Sequence, residues 1–384
     1  MIRPARPDDI PAMLPRLLAA ARDRAHRDPA LWPLSEDAAG AITASLQNTL
    51  NAEAPPFRQQ WLLSGTGLAH GIHLPVPPIY AGRFGAPGLL MEDSTLAPGA
   101  TGAEAAALLA AAEADLRDHG ARILLAASLP GGPFEAAIEA AGYQPLTLYY
   151  ARSGLRPAAP HRSDATERSG SLGKNGPAAR DDTPKADTRD GPGAGQPDSA
   201  TAGVDRQAGV ADISPGTDAP DITIQPATQA HLPGIATRSA ESRAVLHAID
   251  AFWEPHPEAA TRFGAWMARS QGLTDRDMFV STDPGAGVSG YVIAQPVTPL
   301  HVPPGHALSG LGIVDDWHHV DLADPARLAG DGGGARALLQ QAETALATRG
   351  RDSALVVCPA GWLSKRAVLR GAGYRVALTW YIRR

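Results

Sequence analysis

The chain has 384 residues, enough for two domains of ordinary size, and a net charge of −6. No basic run with interleaved aromatic residues is present, which argues against nucleic acid as the main partner. No apolar run approaches membrane-spanning length, the first residues lack a signal peptide's apolar core, and the single Cys358 excludes an internal disulfide. These features predict a cytoplasmic protein with neither a nucleic-acid nor a membrane partner.

The chain repeats itself over a long period. The shared close is Ala141-Gly142-Tyr143 in the first copy and Ala372-Gly373-Tyr374 in the second. Other matched segments, with equal internal spacing, are Ile2-Arg3-Pro4-Ala5 with Ile224-Gln225-Pro226-Ala227, Leu31-Trp32 with Phe252-Trp253, Leu108-Leu109 with Leu338-Leu339, Glu113 with Glu343, and Arg152 with Arg383. A period of this length indicates a duplicated domain rather than a solenoid.

The two copies are separated by a stretch of different composition. From about Arg156 to Pro220 there is no Phe, Trp or Tyr, and Pro, Gly, Ser, Thr, Asp and Arg are abundant. Such a segment buries too little apolar surface to offset the entropy lost on ordering. We therefore predict an N-terminal domain over residues 1–154, a disordered linker over 155–220 and a C-terminal domain over 221–384. A linker of this kind allows the two domains to dock against each other.

The second copy predicts an α+β unit with a mixed sheet. Apolar residues at helical spacing, Leu338, Leu339, Ala342 and Leu346, follow a glycine-rich loop, and Gly350 lies where a helix cap belongs. In chain order the predicted elements are a strand at Ile222–Ile224, a helix from about His231, a helix at Glu258–Ser270, strands at Asp277–Ser281, Gly287–Gln295 and Leu308–Val320, the helix after the loop, a strand at Ser353–Cys358, a helix at Leu363–Gly371 and a strand at Tyr374–Ile382.

This order of elements resembles the GNAT superfamily of acyl-CoA-dependent N-acyltransferases. The entry Ile-Arg-Pro-Ala, with Asp and Ile-Pro a few residues later, is similar to that superfamily's first strand and helix. The strand, Gly-rich loop and Ala-Leu-Leu helix, followed by strand, helix and Gly-Tyr close, are similar to its core. The resemblance covers both copies and omits the linker. It implies two tandem GNAT-like domains and a reaction class, transfer of an acetyl group from acetyl-CoA to an amine, without naming the acceptor.

The resemblance implies a coenzyme A loop in the second copy. The superfamily pattern, Arg/Gln-x-x-Gly-x-Gly/Ala, opens a helix whose first N–H groups face the pyrophosphate. Gly333 and Ala335 match its small residues, whereas Gly330 stands in place of Arg or Gln and Asp331 brings a negative charge. The implied cofactor-binding residues are Trp317, Val320, Gly330, Gly332, Gly333, Gly334, Ala335 and Arg336. A surface turn before a helix is the alternative interpretation.

The equivalent loop of the first copy departs from the pattern. The shared Leu-Leu pair places Ala103 and Glu104 at the positions of Gly333 and Gly334. A carboxylate there would face the pyrophosphate, so we expect the N-terminal domain to be degenerate as a coenzyme A site.

Acyl transfer to an amine requires a proton acceptor for the amine and a proton donor for the thiolate. Asp316, His318 and His319 are the catalytic candidates, in a strand where alternation places Asp316 and His318 on one face and Asp315 and His319 on the other. The acidic pair recurs as Glu92 and Asp93, which favours a structural or interdomain role, whereas the histidines have no counterpart. A solvated strand end would also explain the histidines. A metal site at Asp316 and His318 is disfavoured, because the paired Cys or spaced His residues of a metal-binding motif are absent.

The usual superfamily Tyr, the general acid, falls at Leu369 here, and the Asn that usually precedes it falls at Trp362. Tyr381, Tyr374 or water could substitute, and Tyr381 is the fourth catalytic candidate. The preferred hypothesis is an N-acetyltransferase whose C-terminal domain acetylates a primary amine of a small molecule or peptide. The alternative is a non-catalytic pseudo-acyltransferase that binds acyl-CoA or a protein partner. A nucleotide-binding α/β protein is disfavoured, because no βαβ Gly-x-Gly-x-x-Gly fingerprint follows an early strand.

Overall fold

Both halves of the chain build sheet strands with helices packed on the two faces. The computed structural model describes residues 1–52, 57–157, 222–283, 287–298 and 302–384, and the predicted linker lies outside these residues from position 158 onward. We refer to the described residues up to 157 as the N-terminal half and to those from 222 as the C-terminal half. None of the helices in these ranges is long and apolar enough to cross a membrane.

The N-terminal half has four helices and seven strands among its described residues. Helix α3 begins with a capping box, in which Thr101 accepts from the Glu104 amide and the Glu104 carboxylate accepts from the Thr101 amide. The elements are β1 (Arg3–Pro4), α1 (Ile10–Arg27), α2 (Ala38–Leu50), β2 (Gln59–Leu63), β3 (Gly67–His73), β4 (Gly88–Leu90), β5 (Thr95–Leu96), α3 (Gly102–Asp118), β6 (Leu124–Ser128), α4 (Glu135–Ala140) and β7 (Gln144–Ser153).

The C-terminal half repeats this order and matches the predicted α+β elements. The strand predicted from Leu308 begins three residues later, at Leu311. The elements are β8 (Thr223–Pro226), α5 (Leu232–Ile249), α6 (Ala259–Ser270), β9 (Asp277–Asp283), β10 (Gly287–Pro296), β11 (Leu311–His319), α7 (Gly333–Thr348), β12 (Ser353–Pro359), α8 (Leu363–Gly371) and β13 (Arg375–Arg383).

The two halves share one sheet and exchange their last strands. Its order is β1-β2-β3-β4-β6-β13-β7-β12-β11-β10-β9-β8, with β5 paired to β3. Strand β13 of the C-terminal half is antiparallel to β6, and β7 of the N-terminal half is antiparallel to β12. Each half therefore receives a central strand from the other, so the halves are joined by shared strands and not only by docking of two separate sheets.

The exchange is visible in the cores. Tyr381 of β13 packs with the N-terminal α3 and α4 side chains, and Leu148 and Tyr150 of β7 pack with those of α7 and α8. Two ion pairs follow the same crossing: Arg152 donates to Glu343 at 2.8 Å, and Arg383 donates to Glu113 at 2.8 Å. The repeated Arg and Glu positions of the sequence are therefore partners between the halves.

Two loop contacts also cross between the halves. The Ala81 amide donates to the Glu254 carbonyl at 2.8 Å, and the Ser35 amide donates to the Gly305 carbonyl at 3.0 Å. Each contact brings a loop of one half over the α-helical pair of the other. The loop that contains Tyr80 thereby becomes a wall of the C-terminal half.

Candidate functional site

The C-terminal half contains a cavity of about 640 Å³, within the size range of small-molecule sites. Helices α5 and α6 form one side, the end of β11 and the start of α8 form another, and the loop at Tyr80 closes it from the N-terminal half. Aromatic side chains make up much of the wall: Tyr80, Trp253, Phe263, Trp266 and Trp362.

Two carboxylates face this cavity from strand β11. Asp316 is partly buried, and its Oδ2 accepts a hydrogen bond of 2.6 Å from the Tyr291 hydroxyl. Burial raises the pKa of Asp316, although the Tyr291 hydrogen bond and the charges of Lys365 and Arg243 act in the opposite direction. No described residue is a hydrogen-bond donor to its Oδ1, so this oxygen is available to a ligand.

Asp315 reaches the same cavity because the strand is bulged there. The register with β10 shifts between Ile293 and Ala294, which pair with Asp316 and Val314 and leave Asp315 as the additional residue. The predicted alternation, with Asp315 on the face opposite Asp316, is therefore wrong at this position. Asp315 is solvent-accessible within the cavity, and the surrounding protein still raises its pKa by desolvation, which Arg276 partly offsets.

Helix α5 brings a buried cation to the cavity. Arg243 is 4% exposed, donates to the Ser239 hydroxyl at 2.6 Å and lies over the Phe263 ring at 5.2 Å. No described carboxylate lies within ion-pairing distance of its guanidinium. Ser239 lines the cavity beside it.

Helix α8 brings a second buried cation. Lys365 is 6% exposed, its Nζ donates to the Trp317 carbonyl at 2.9 Å, and it lies about 5 Å from the rings of Trp317 and Trp362. Burial lowers the pKa of Lys365. As with Arg243, none of the described Asp and Glu residues pairs with it.

These cavity residues were missed by the sequence analysis, although a comparison of the copies contained a signal. Helices α1 and α5 have 18 residues each, and Ser239 and Arg243 occupy the positions of Leu17 and Ala21. Lys365 precedes its Ala-Gly-Tyr close by the same distance as the buried Phe134. Three apolar core positions of one half are thus polar in the other, and all three polar side chains line one cavity.

The corresponding region of the N-terminal half is filled. His70 lies 3.0 Å from Asp93, as Tyr291 contacts Asp316, but the Trp61 ring stacks on His70 at 4.3 Å. Only about 10 Å³ of void remains there, beside Leu17 and Trp61. The space beside Asp93 is therefore filled, and the N-terminal half instead has a cavity of about 630 Å³ between α2 and the loop at Gly305.

The predicted coenzyme A loop begins helix α7, as expected, and its amides already have acceptors. The Gly333 amide donates to Asp331 at 3.0 Å, and the Gly334 and Ala335 amides donate to Asp321 Oδ2 at 3.0 and 3.2 Å. Arg336 donates from Nε to the Asp331 carbonyl at 2.9 Å. The carboxylate of Asp321 thus lies where an anion would meet the helix N-terminus.

The glycines of this loop have local structural reasons. Gly332 adopts φ = 73°, which favours glycine, as the residue that caps α7. A Cβ on Gly334 would lie 2.2 Å from the His319 ring. Gly330, also left-handed, faces open space, and Val320 is exposed in the turn after β11.

A coenzyme A diphosphate does not fit this loop as it stands. The amides of Gly333, Gly334 and Ala335 are occupied, and both acceptors are carboxylates, which repel phosphate. Burial raises the pKa of Asp321, but the adjacent His319 and the hydrogen bonds from the Gly334 and Ala335 amides outweigh this effect and lower the pKa, so the capping group is ionised. Binding there would require Asp321 to leave.

The structure separates the three β11 candidates. His319 lies under α7, where its Nδ1 is 3.0 Å from Asp321 Oδ2, and His318 is fully buried against Trp362. Neither histidine lines the cavity, whereas Asp316 does. Trp317 is wholly buried in the core, and its backbone carbonyl is occupied by Lys365.

His318 is an uncharged histidine by environment. Burial, then the positive charges of Lys365 and its neighbours, lower its pKa to about 3. Neither ring nitrogen has a hydrogen-bond partner among the described residues, and the carboxylate 3.9 Å from Nε2, that of Glu241, is exposed to solvent. A proton on this ring would therefore be strongly disfavoured in the folded state.

We expect His318 to make the protein sensitive to acid. Its pKa is lower in the folded state, so below about pH 6.5 the unfolded chain takes up a proton that the folded chain refuses down to about pH 3. This lowers the free energy of unfolding by up to about 1.4 kcal/mol per pH unit in that window. Urea unfolding at pH 7, 6 and 5 should show a shallower decline for His318→Gln than for wild type.

The exposed His119→Gln is the matched control and should keep the wild-type slope. Comparing variants with wild type removes the opposing contribution of Glu92, whose pKa burial raises to about 7. Equal slopes for His318→Gln and wild type would contradict the assignment.

Tyr381 lies apart from the cavity. It belongs to the exchanged strand β13, packs in the N-terminal core beside Ile138, and its hydroxyl donates to Glu135 at 3.3 Å. Burial, followed by the charge of Glu135, raises its pKa to about 12. Because the strand exchange carries it away from Asp316, we do not retain it as a general acid for the C-terminal half.

Among the described residues no cluster of three metal-binding side chains is found.

No family model matches the sequence, and no curated protein matches it. Similar solved structures are found. A GCN5-related N-acetyltransferase from Sphaerobacter thermophilus is 14% identical, with TM-score 0.49, over 100% of this chain and 95% of that one. A tandem GNAT protein from the clavulanic acid biosynthesis pathway is 14% identical, with TM-score 0.40, over 100% and 98%. A GCN5-related N-acetyltransferase from Kribbella flavida is 14% identical, with TM-score 0.37, over 90% and 94%.

These TM-scores lie below 0.5, so the fold assignment rests on the architecture itself. Each half has a strand, two helices, antiparallel strands, and a parallel strand pair connected through the helix after the loop. A further helix and a closing strand complete it. The described residues form two tandem GNAT-like domains.

Proposed function

We propose that the protein is an acyltransferase-type enzyme that takes an amine into the cavity of its C-terminal half. The observation that carries this proposal is the Asp316–Tyr291 pair, with its 2.6 Å hydrogen bond, inside a ligand-sized space. The tandem GNAT-like fold supplies the reaction class, and the solved structures of similar fold include proteins described as N-acetyltransferases.

Asp316 is the proposed proton acceptor. Acyl transfer needs a neutral amine, and a carboxylate whose pKa is raised towards neutrality accepts a proton more effectively than a solvated one. Its Oδ2 is held by Tyr291, so Oδ1 would face the amine. The loop before α7 does not fit the donor's diphosphate as it stands, so this proposal concerns the acceptor side of the reaction.

The test is acetyl transfer by the full chain. Acetyl-CoA and a panel of primary amines are supplied, and release of free thiol is followed. We expect Asp316→Asn to lower turnover by about 100-fold or more, because it removes the proton acceptor while nearly keeping its shape.

Asp93→Asn is the matched control, since Asp93 holds the equivalent position beside His70 in the filled half. It should retain turnover within a few-fold of wild type. Equal losses in the two variants, with both proteins folded, would contradict a chemical role for Asp316.

The occupied amides of α7 favour a second candidate, a non-catalytic ligand-binding protein. Asp321 and Asp331 accept from every amide at the start of that helix that the coenzyme A pattern would use. Under this alternative the cavity binds its ligand and no thiol is released with any amine.

A further inference from the structure

We propose that the cavity of the C-terminal half recognises a small molecule that carries both an amine and a carboxylate, and that Arg243 and Lys365 hold the carboxylate. The inference refines the proposed function, because it names the substrate class of the same cavity. It rests on two buried cations that line the cavity and form no ion pair with any described residue.

Burial of the two cations has a free-energy cost. A buried ammonium or guanidinium without a counterion is strongly unfavourable, so proteins pair such groups or leave them in water. Lys365 uses one of its three N–H donors, on the Trp317 carbonyl, and Arg243 is hydrogen-bonded to the Ser239 hydroxyl. Both side chains line the cavity, so a bound anion could satisfy the remaining donors.

The two cations have no charged counterparts at the equivalent positions of the N-terminal half. The N-terminal half carries Ala21 and Phe134 where the C-terminal half carries Arg243 and Lys365. Phe134 and Ala21 are buried and apolar, so the fold does not need charge at these places. The charge lines the cavity that opens beside Asp316, whereas the equivalent space beside Asp93 is filled.

The cavity is lined by charged side chains of both signs. Asp315 and Asp316 face the same cavity, and the charges of Arg243 and Lys365 reach Asp316. Of the other cations that line the cavity, Arg262 is paired with Glu258 and Arg269 is exposed. The remaining two cations and two carboxylates match a ligand with one group of each sign. A phosphate would bring a second negative charge close to Asp316, which favours a carboxylate.

The positions of the charged groups suggest how a ligand would be oriented in the cavity. The cations lie on the helices α5 and α8, the acidic pair lies on strand β11, and all four side chains line the same cavity. A carboxylate held by Arg243 and Lys365 would leave the amine of the same molecule to Asp316. The aromatic walls at Phe263 and Trp266 then contact the rest of the ligand.

The experiment is thermal unfolding of the full chain with two matched panels at 10 mM: the proteinogenic amino acids, and the amines obtained from them by decarboxylation. At least one amino acid should raise Tm by roughly 3 °C or more, and its amine should raise it much less. Titration calorimetry of that pair should give at least a tenfold weaker Kd for the amine.

Arg243→Ala and Lys365→Phe place the residues of the N-terminal half in the cavity. Each should weaken amino-acid binding at least tenfold and leave the amine's affinity nearly unchanged. Lys365→Met is the alternative if the phenylalanine variant fails to fold. Arg370→Ala, at an exposed position of α8 that does not line the cavity, should bind amino acids like wild type.

Three results would overturn the inference: no amino acid shifts Tm, the amines bind as tightly as the amino acids, or both cation variants keep wild-type affinity. Binding is measured without acyl transfer, so the outcomes remain separable from the proposed function. Acetylation restricted to amines that lack a carboxylate would sustain the function and reject this inference.

Discussion

Expressed separately, neither half of the chain is expected to give a monomer that unfolds cooperatively. The N-terminal half alone lacks β13, which supplies Tyr381 and Ile382 to its core clusters and pairs with β6. The C-terminal half alone lacks β7, which supplies Leu148 and Tyr150 and pairs with β12. Each large apolar side chain contributes about 1.5–3 kcal/mol by burial, so losing several removes much of a stability that is typically about 5–15 kcal/mol.

The measurement is urea unfolding, with the state of association determined by light scattering. A chain ending at residue 157 and a chain beginning at residue 222 are each measured alone and after co-expression. Co-expression should restore a one-to-one complex with a single sharp transition. A homodimer of one half would still agree with strand exchange, whereas a monomeric half with a sharp transition would contradict it.

Asp321→Ala is expected to increase affinity for coenzyme A by at least tenfold. The substitution frees the Gly334 and Ala335 amides and removes a negative charge from the start of α7. Two amide hydrogen bonds to a charged group are each worth roughly 1.5–3 kcal/mol, and a tenfold change in Kd corresponds to about 1.4 kcal/mol. The free variant should also lose about 1 kcal/mol of stability, because it lacks a helix cap.

Calorimetric titration of coenzyme A into both proteins measures the change. Glu104→Ala is the matched control, because it also removes a capping carboxylate, from α3 in the N-terminal half. It should lower stability similarly without improving affinity. If Asp321→Ala binds no better than Glu104→Ala, the loop is not a latent anion site and the non-catalytic alternative gains support.

Within the C-terminal half, the cavity has polar residues suited to a ligand, whereas the amides of the loop before α7 are already hydrogen-bonded within the protein. The cavity residues Ser239, Arg243 and Lys365 replace a packed apolar core, whereas the loop residues are satisfied by Asp321 and Asp331. The amino-acid binding experiment examines the cavity, and the coenzyme A titration examines the loop. Together with the acetyl-transfer assay, they distinguish an enzyme from a ligand-binding protein of the same fold.

The sequence by itself was sufficient for the duplication, the α+β class and the order of elements. These properties depend on local periodicity and on matched segments such as the two Ala-Gly-Tyr closes, which can be read along the chain. The acidic pair at Asp315 and Asp316 was also found in this way. It was placed on opposite faces because a β-bulge depends on the partner strand β10.

Only the tertiary structure decided which residues share a site. Arg243, Asp316 and Lys365 are far apart in the chain, and their meeting depends on α5, β11 and α8 packing around one cavity. The placement of Tyr381 was decided by strand exchange, a long-range pairing that no local pattern encodes. The loop at Gly333 has the small residues of a phosphate site, but the carboxylate that occupies its neighbouring amides comes from Asp321, a contact made only when the chain folds.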